Sequence, residues 1–275
     1  MKFFEKIKWH YHNGTLWNIL WRKLSAPFLL SPRPQPQMTG SYTTSHLNKG
    51  HDYHSYFVNR PGRRLVWEQE QEVLKKIASQ KGPFGIHLDF AGGTGRIAGV
   101  LETHTASQFV LDVSQTMLSV AANNLTKATL INRDFRQGVP ELENGAVDII
   151  TAFRFFPNAE QQLRLDAMAF LSKKLRKGGW LVCNNHRNFW SIPYIVNRLT
   201  FRGGDVGMTN GQLVEIAGAH EFRLVNSLSI GLIPQSEQRG FLPWKMVAKI
   251  ERLLFRLTGT KQRCGHNVIF VFERI

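Results

Sequence analysis

Apolar positions fall into stretches of different period along the chain. Phe3, Phe4, Ile7, Trp9 and Tyr11 alternate with lysines, and the turn signal Asn13-Gly14 follows. Trp17, Leu20, Trp21 and Leu24 then recur at helical spacing. Ser31 to Gln37 is proline-rich and predicts a stiff, extended linker. Residues 38–61 are polar and aromatic and read as loop with a short helix. From Gly62 to Gln80 the period is helical again, with Val66, Val73, Leu74 and Ile77 on one face. Lys81-Gly-Pro83 stops that helix.

Short apolar runs then alternate with helical stretches. Strands are predicted at 85–90, 108–112, 128–132, 147–153 and 180–184. Between them lie helices running to about 103, from Ser114, and over 159–176, the last closed by Lys177-Gly-Gly179. Such βαβ repetition predicts an α/β fold with a doubly wound parallel sheet. Further on, Thr209 to Ala219 reads as a capped helix, 222–230 and 267–272 as strands, and 234–263 as holding a basic amphipathic helix. Two strands joined through a helical insert predict an antiparallel C-terminal edge. The expected organisation is an aromatic, basic helical extension and lid over 1–61 and a sheet domain over 62–275. Residues 186–208 and 232–265 are expected to form helical cap inserts.

Composition narrows the picture. With 43% apolar residues in 275, the chain can bury a core and is not a disordered segment. Two cysteines exclude a disulfide framework and fit a reducing compartment. No stretch has the ~18–20 apolar residues of a membrane span. Lys6, Lys8 and His10 interrupt the N-terminal apolar residues, unlike a signal peptide, so a cytoplasmic location is expected. The net charge of +15 points to a polyanion: a nucleic acid, an anionic membrane surface or a phosphorylated substrate. Two segments concentrate it. Lys2, Lys6, Lys8, Arg22 and Lys23 against Glu5 give 1–30 a charge of +4. Residues 234–263 reach +5, and both segments mix these cations with Trp, Phe and Leu at helical spacing, as interfacial helices do. The same pattern also suits helices packed on the sheet with their lysines solvated.

The sharpest motif is His87-Leu-Asp-Phe-Ala-Gly-Gly-Thr-Gly-Arg96, a strand feeding a glycine turn that opens a helix. Ligands of such sheets bind at the carboxyl ends of the strands. Gly93, Gly95 and Ala98, with Asp112 ending the next strand, also match a dinucleotide fingerprint. Asp89 favours another cofactor: a carboxylate at the mouth of the turn repels a pyrophosphate and attracts a cation, such as the ammonium and sulfonium of S-adenosylmethionine (SAM). Asp112 is placed to accept ribose hydroxyls. Asp134, after the third strand, is placed to accept from an adenine amino group.

This constellation resembles the class I SAM-dependent methyltransferases, whose first-strand pattern is Asp-x-Gly-x-Gly-x-Gly. Here it reads Asp89-Phe-Ala91-Gly-Gly93-Thr-Gly95, departing at Ala91. Leu111-Asp112-Val-Ser-Gln-Thr-Met117, Arg133-Asp134-Phe135, Arg176-Lys-Gly-Gly179 and Gly211 to Phe222 resemble later blocks of the family, in order, over 62–275. The resemblance implies a Rossmann-like seven-stranded sheet, SAM as cofactor, S-adenosylhomocysteine (SAH) as product and no metal. It implies that Asp89, Ala91, Gly93, Thr94 and Gly95 line the methionine end. It implies Asp112 at the ribose, Val113, Met117, Asp134 and Phe135 at the adenine, and Phe153 with Arg154 beside the sulfonium.

Methyl transfer needs alignment of the acceptor and exclusion of water more than many catalytic groups. The candidates are His186 as general base, Arg154 as a contact to an acidic acceptor, and Tyr53 from a segment able to cover the cofactor. Phe153-Arg-Phe-Phe-Pro-Asn158 lacks the Asn/Asp-Pro-Pro-aromatic run of the family's enzymes that methylate nucleic-acid bases on nitrogen, which argues against a nucleic-acid partner. The expected function is O-methylation of an apolar or lipid-linked small-molecule acceptor at an anionic membrane surface, approached through 1–30 and 234–263. A soluble natural-product methyltransferase and an RNA-modifying protein are the alternatives.

Overall fold

The computed structural model describes residues 60–188, 190–191, 194–195, 208–233, 243–258 and 265–275. The extension and lid over 1–59, Tyr53 included, and much of both cap inserts lie outside the described residues.

Pro61–Lys81 forms helix α1, entered through a proline in its first turn, where a missing N–H costs nothing. Its apolar face buries Leu65, Val73, Leu74 and Ile77. Strand β1 (Phe84–Phe90), helix α2 (Arg96–Leu101), β2 (Thr105–Asp112), α3 (Gln115–Asn124), β3 (Ala128–Asn132), β4 (Val147–Ala152), α4 (Gln161–Lys174) and β5 (Leu175–Asn185) follow. Then come α5 (Asn210–Gly218), β6 (Phe222–Ile230), α6 (Trp244–Thr258) and β7 (Asn267–Arg274). Ser114 caps α3 by accepting from Met117 N, and Thr209 with Gln212 makes a capping box on α5.

The sheet order is β3-β2-β1-β4-β5-β7-β6. The pairs from β3 through β5 are parallel, while β7 runs antiparallel to both β5 and β6. This is the expected doubly wound sheet with its antiparallel edge. Central strands read as unbroken apolar runs because helices cover both faces. The larger core cluster holds Leu88, Phe90, Ile150, Met168, Leu171 and Phe272, and the opposite one Leu74, Ile77, Ile149, Val182 and Ile269.

Two expected boundaries move. The helix after the glycine turn ends at Leu101, and the chain passes through a tight turn at Glu102–His104 into β2, which starts at Thr105. Strand five starts at Leu175, before the glycines expected to close the helix. Val147 pairs with Leu175 but Ile149 with Trp180, so Arg176 to Gly179 bulge out of the ladder. Gly178 sits at φ 73°, and a side chain at Gly179 would stand 3.0 Å from Asp148 O. Glycine here shapes a bulge rather than a helix stop.

Candidate cofactor and acceptor site

The β1–α2 turn departs from ordinary backbone at Ala91 (φ 52°), Gly93 (φ 57°) and Gly95 (φ 72°). A Cβ on Gly93 would stand 3.7 Å from Met117 Sδ and 3.9 Å from Asp112 Oδ2, at the border of the cleft these groups line. Gly95 serves the fold instead. It caps α2, does not line the cleft, and a Cβ there would meet Leu125 Cδ1 at 2.6 Å.

Above this turn a cleft of about 970 Å³, measured out to its open mouth, lies at the carboxyl ends of β1, β2 and β4. Of the residues expected there, Asp89, Ala91, Gly93, Thr94, Asp112, Val113, Met117, Asp134, Phe135, Phe153 and Arg154 line it. Gly92, Arg96, Arg133 and Asn158 also line it and were not anticipated. Met117 and Phe135 both line the cleft and pack in the core, where the Phe135 ring lies 5.2 Å from Phe90 and 5.4 Å from Phe170.

The two carboxylates of the turn differ. Asp112 ties two loops together: Oδ2 accepts from Gly93 N and Oδ1 from Ser114 N, each at 2.8 Å. Asp89 sits beneath the turn rather than at its mouth, only 1% exposed. Its Oδ1 accepts from the Thr151 hydroxyl at 2.7 Å and its Oδ2 from Ala98 N at 3.1 Å. Because Thr151 gives its proton to Asp89, its oxygen accepts from His87 Nε2 at 2.8 Å. His87 Nδ1 then accepts from Gln108 Nε2 at 2.9 Å, which also donates to Ala98 O. This assigns His87 the neutral Nε2–H tautomer. Burial pushes its pKa down to about 3, which keeps it neutral.

Burial also raises Asp89 to about 7, against the pull of the Thr151 and Ala98 hydrogen bonds. A sulfonium or ammonium beside it favours the ionised form, so binding a cation releases a proton. SAM affinity is therefore expected to fall below pH 7, with a Kd about tenfold higher at pH 6 than at pH 8. Titration calorimetry in two buffers of different ionisation enthalpy checks this, and Asp89→Asn should flatten the profile. The unliganded fold responds in the opposite sense. A raised carboxyl pKa means stability is lost as pH climbs from the ordinary carboxylate range through about 7.

Asp134 lines the cleft, but its carboxylate is gripped by Arg136, with Nε–Oδ1 at 3.0 Å and Nη2–Oδ2 at 2.6 Å. Those hydrogen bonds hold its pKa below the usual range.

One cluster escaped the sequence reading. Glu70, fully buried on α1, accepts from Asn267 Nδ2 at 2.7 Å, Arg154 Nη2 at 3.3 Å and Asn184 Nδ2 at 3.5 Å through Oε1. Its Oε2 accepts from Arg96 Nη1 at 3.0 Å. Arg96 also stacks on Trp67, 4.1 Å from the ring centre. One buried carboxylate thus holds both arginines that line this side of the cleft. Its signal was a glutamate inside the apolar stripe of Val66, Val73, Leu74 and Ile77.

His186 follows β5, partly buried and not among the cleft's lining residues, and its Nδ1 is buried without a hydrogen-bond partner among the described residues. Burial, then the nearby Arg154, Arg187, His266 and Arg63, hold it well below the usual imidazole range, hence in its basic form. Arg154 takes a left-handed conformation at φ 63°, and its N–H donates to Asn184 Oδ1 at 2.6 Å. Among the described residues no group of three His, Cys, Asp or Glu side chains is placed to hold a metal ion.

A parallel sheet reversing at β1, a glycine turn at its carboxyl edge and an acid ending β2 together define a nucleoside-cofactor site in a doubly wound α/β protein. Residues 88–179 match the family model described as "Methyltransferase domain". Over this segment the chain carries a methyltransferase domain that resembles the class I SAM-dependent methyltransferases. No curated protein matches it significantly. Among solved structures, the N-methyltransferase NodS of Bradyrhizobium japonicum WM9, solved with SAH, is 15% identical with a TM-score of 0.57, covering 86% of this chain and 99% of its own. The magnesium protoporphyrin IX methyltransferase ChlM of Synechocystis PCC 6803, also with SAH, is 12% identical with a TM-score of 0.57, covering 85% and 99%. A SAM-dependent methyltransferase of Archaeoglobus fulgidus is 12% identical with a TM-score of 0.54, covering 76% and 94%. At these identities the likeness is one of fold.

Proposed function

We propose that this enzyme methylates an oxygen of an apolar or lipid-linked acceptor presented at an anionic membrane surface, on its cytoplasmic side. The observation that supports this most is the outer surface of α6. Val247, Ala248 and Glu251 face inward, with Glu251 accepting from Gln69 Nε2 on α1 at 3.3 Å. Met246, Leu253 and Leu257 form an exposed apolar stripe, 43%, 55% and 74% accessible. Lys245, Lys249 and Arg252, all exposed, make a basic stripe beside it. Large apolar side chains left in water beside cations suit a headgroup layer, where each basic residue adds about 1 kcal/mol. No helix among the described residues is long and apolar enough to cross a membrane, so the contact is interfacial. Helix α1, which packs against α6 through Gln69, also carries Glu70, so the proposed membrane face adjoins the wall of the cleft.

The test is co-sedimentation with vesicles containing an anionic phospholipid. Binding is expected at low salt, with loss at high salt and at least a fivefold loss in a Leu253→Ser, Leu257→Ser double variant. Absence of binding at low salt overturns the membrane reading and leaves a soluble small-molecule methyltransferase. Methyl-labelled SAM incubated with a cell extract should place label in the organic phase, and label in RNA would contradict the proposal.

A further inference from the structure

Beneath the glycine turn and α2, three strands bring four buried polar side chains together: His87, Asp89, Gln108 and Thr151. We infer that His87 is a positioning residue for the cofactor: acting through Thr151, it holds the Asp89 carboxylate as an acceptor and so keeps the cleft able to take up a cation at neutral pH. The inference deepens the reading of the cleft as a SAM site and rests on it.

Strand register makes the group possible. His87 and Asp89 stand two positions apart on β1 and share one face of the sheet. His87 pairs with Gln108 on β2, and Asp89 with Thr151 on β4.

The hydrogen bonds of the group run in one direction. Gln108 Nε2 donates to Ala98 O and to His87 Nδ1, each at 2.9 Å. Turning that amide over would set its oxygen against Ala98 O, so its orientation is fixed. With Nδ1 accepting, His87 carries its proton on Nε2 and donates to Thr151 Oγ1 at 2.8 Å. The Thr151 hydroxyl then has its own proton to give to Asp89 Oδ1, at 2.7 Å, while Ala98 N donates to Oδ2 at 3.1 Å. The chain of bonds starts and finishes on Ala98, so it closes into a ring. Every neighbour of Asp89 in this ring donates, and a proton on the carboxyl meets no acceptor there. The ring thus opposes the neutral form that burial favours. Outside the ring, Arg96 on α2, itself paired with Glu70 of α1, also favours the carboxylate, and Asp112 at the end of β2 disfavours it. His87 stays uncharged because it is buried, so it orients Thr151 without adding a charge beside Asp89.

The test is SAM affinity of the full chain from pH 5.5 to 8.5, each variant compared with the wild type so that titration of the ligand cancels. His87→Leu should move the midpoint of the pH dependence up by about one unit. The ratio of Kd at pH 6 to Kd at pH 8 then rises from about tenfold to about fiftyfold. Thr151→Val should do the same, and the double variant no more than either alone, because both act through one hydroxyl. His87→Gln, which can set an amide N–H where Nε2 stood, should return the midpoint most of the way. A role confined to packing lowers the urea unfolding midpoint of each variant and leaves the pH midpoint in place; that result, or additive shifts in the double variant, overturns the inference. Should His87→Leu not fold, the other two single variants decide: an unshifted Thr151→Val, or a His87→Gln shifted as far as Thr151→Val, overturns it equally. A wild type that binds no SAM at any pH would instead undo the reading of the cleft as a SAM site.

Discussion

Replacing Glu70 with alanine should lower the stability of the unliganded protein by about 3–5 kcal/mol, the usual cost of removing one partner of a buried ion pair. Glu70 has no solvent exposure, and the guanidiniums it holds, Arg96 and Arg154, have side chains only 8% and 15% exposed. Its loss leaves two positive groups and the amides of Asn184 and Asn267 facing a buried hole that holds no acceptor from Glu70. Glu70→Gln keeps the volume and one acceptor but not the charge, so an intermediate loss is expected. Urea unfolding followed by tryptophan fluorescence gives both values, since Trp67 stacks on Arg96 and reports this region directly. Because both arginines line the cleft, SAM affinity should fall in parallel. A Glu70→Ala protein of wild-type stability would show that water satisfies these groups without the carboxylate.

Asp112→Ala should weaken SAM and SAH binding by at least a hundredfold, roughly 3 kcal/mol or more, on top of the stability lost with its two backbone hydrogen bonds. Two effects combine. The carboxylate holds Gly93 N and Ser114 N, both 2.8 Å away, so it shapes the turns on either side of the cleft. It also supplies oxygens towards the cleft where a ribose diol would lie, and a hydrogen bond to a charged group is worth about 1.5–3 kcal/mol. Asp112→Asn retains one acceptor oxygen and should fall between the two. Equilibrium dialysis with labelled SAH is sufficient, and a loss below tenfold would show that the ribose is held elsewhere.

Much of this architecture was legible in the residues. Short apolar runs located β1 to β4 and period-3.6 patterning α3 to α5, because the central strands are apolar on both faces and the helices on one. The β1–α2 turn was legible because positive φ there demands glycine, except at Ala91. What failed was reading Gly178-Gly179 as punctuation, since a glycine pair marks a bulge as readily as a helix end. Asp89 was correctly tied to the turn but placed too near solvent. Its partners Ala98, Thr151 and, beyond them, His87 come from three separate elements, and burial between them is a tertiary property. Glu70 went unnoticed for the same reason: its partners lie at 96, 154, 184 and 267, and no local window contains them.

The Glu70 hydrogen bond to Asn267 spans 197 positions and has a consequence for biosynthesis. Strand β7, which follows the sheet's other strands in sequence, slots between β5 and β6. While the polypeptide is still emerging from the ribosome, β5 therefore has an unpaired edge and Glu70 lacks its shortest hydrogen bond. The carboxylate behind the arginine wall of the cleft gains its fourth partner only when β7 arrives. Until β7 is in place, Glu70 is held by Arg96, Arg154 and Asn184 alone, and the last of its four partners comes from the far end of the sheet domain.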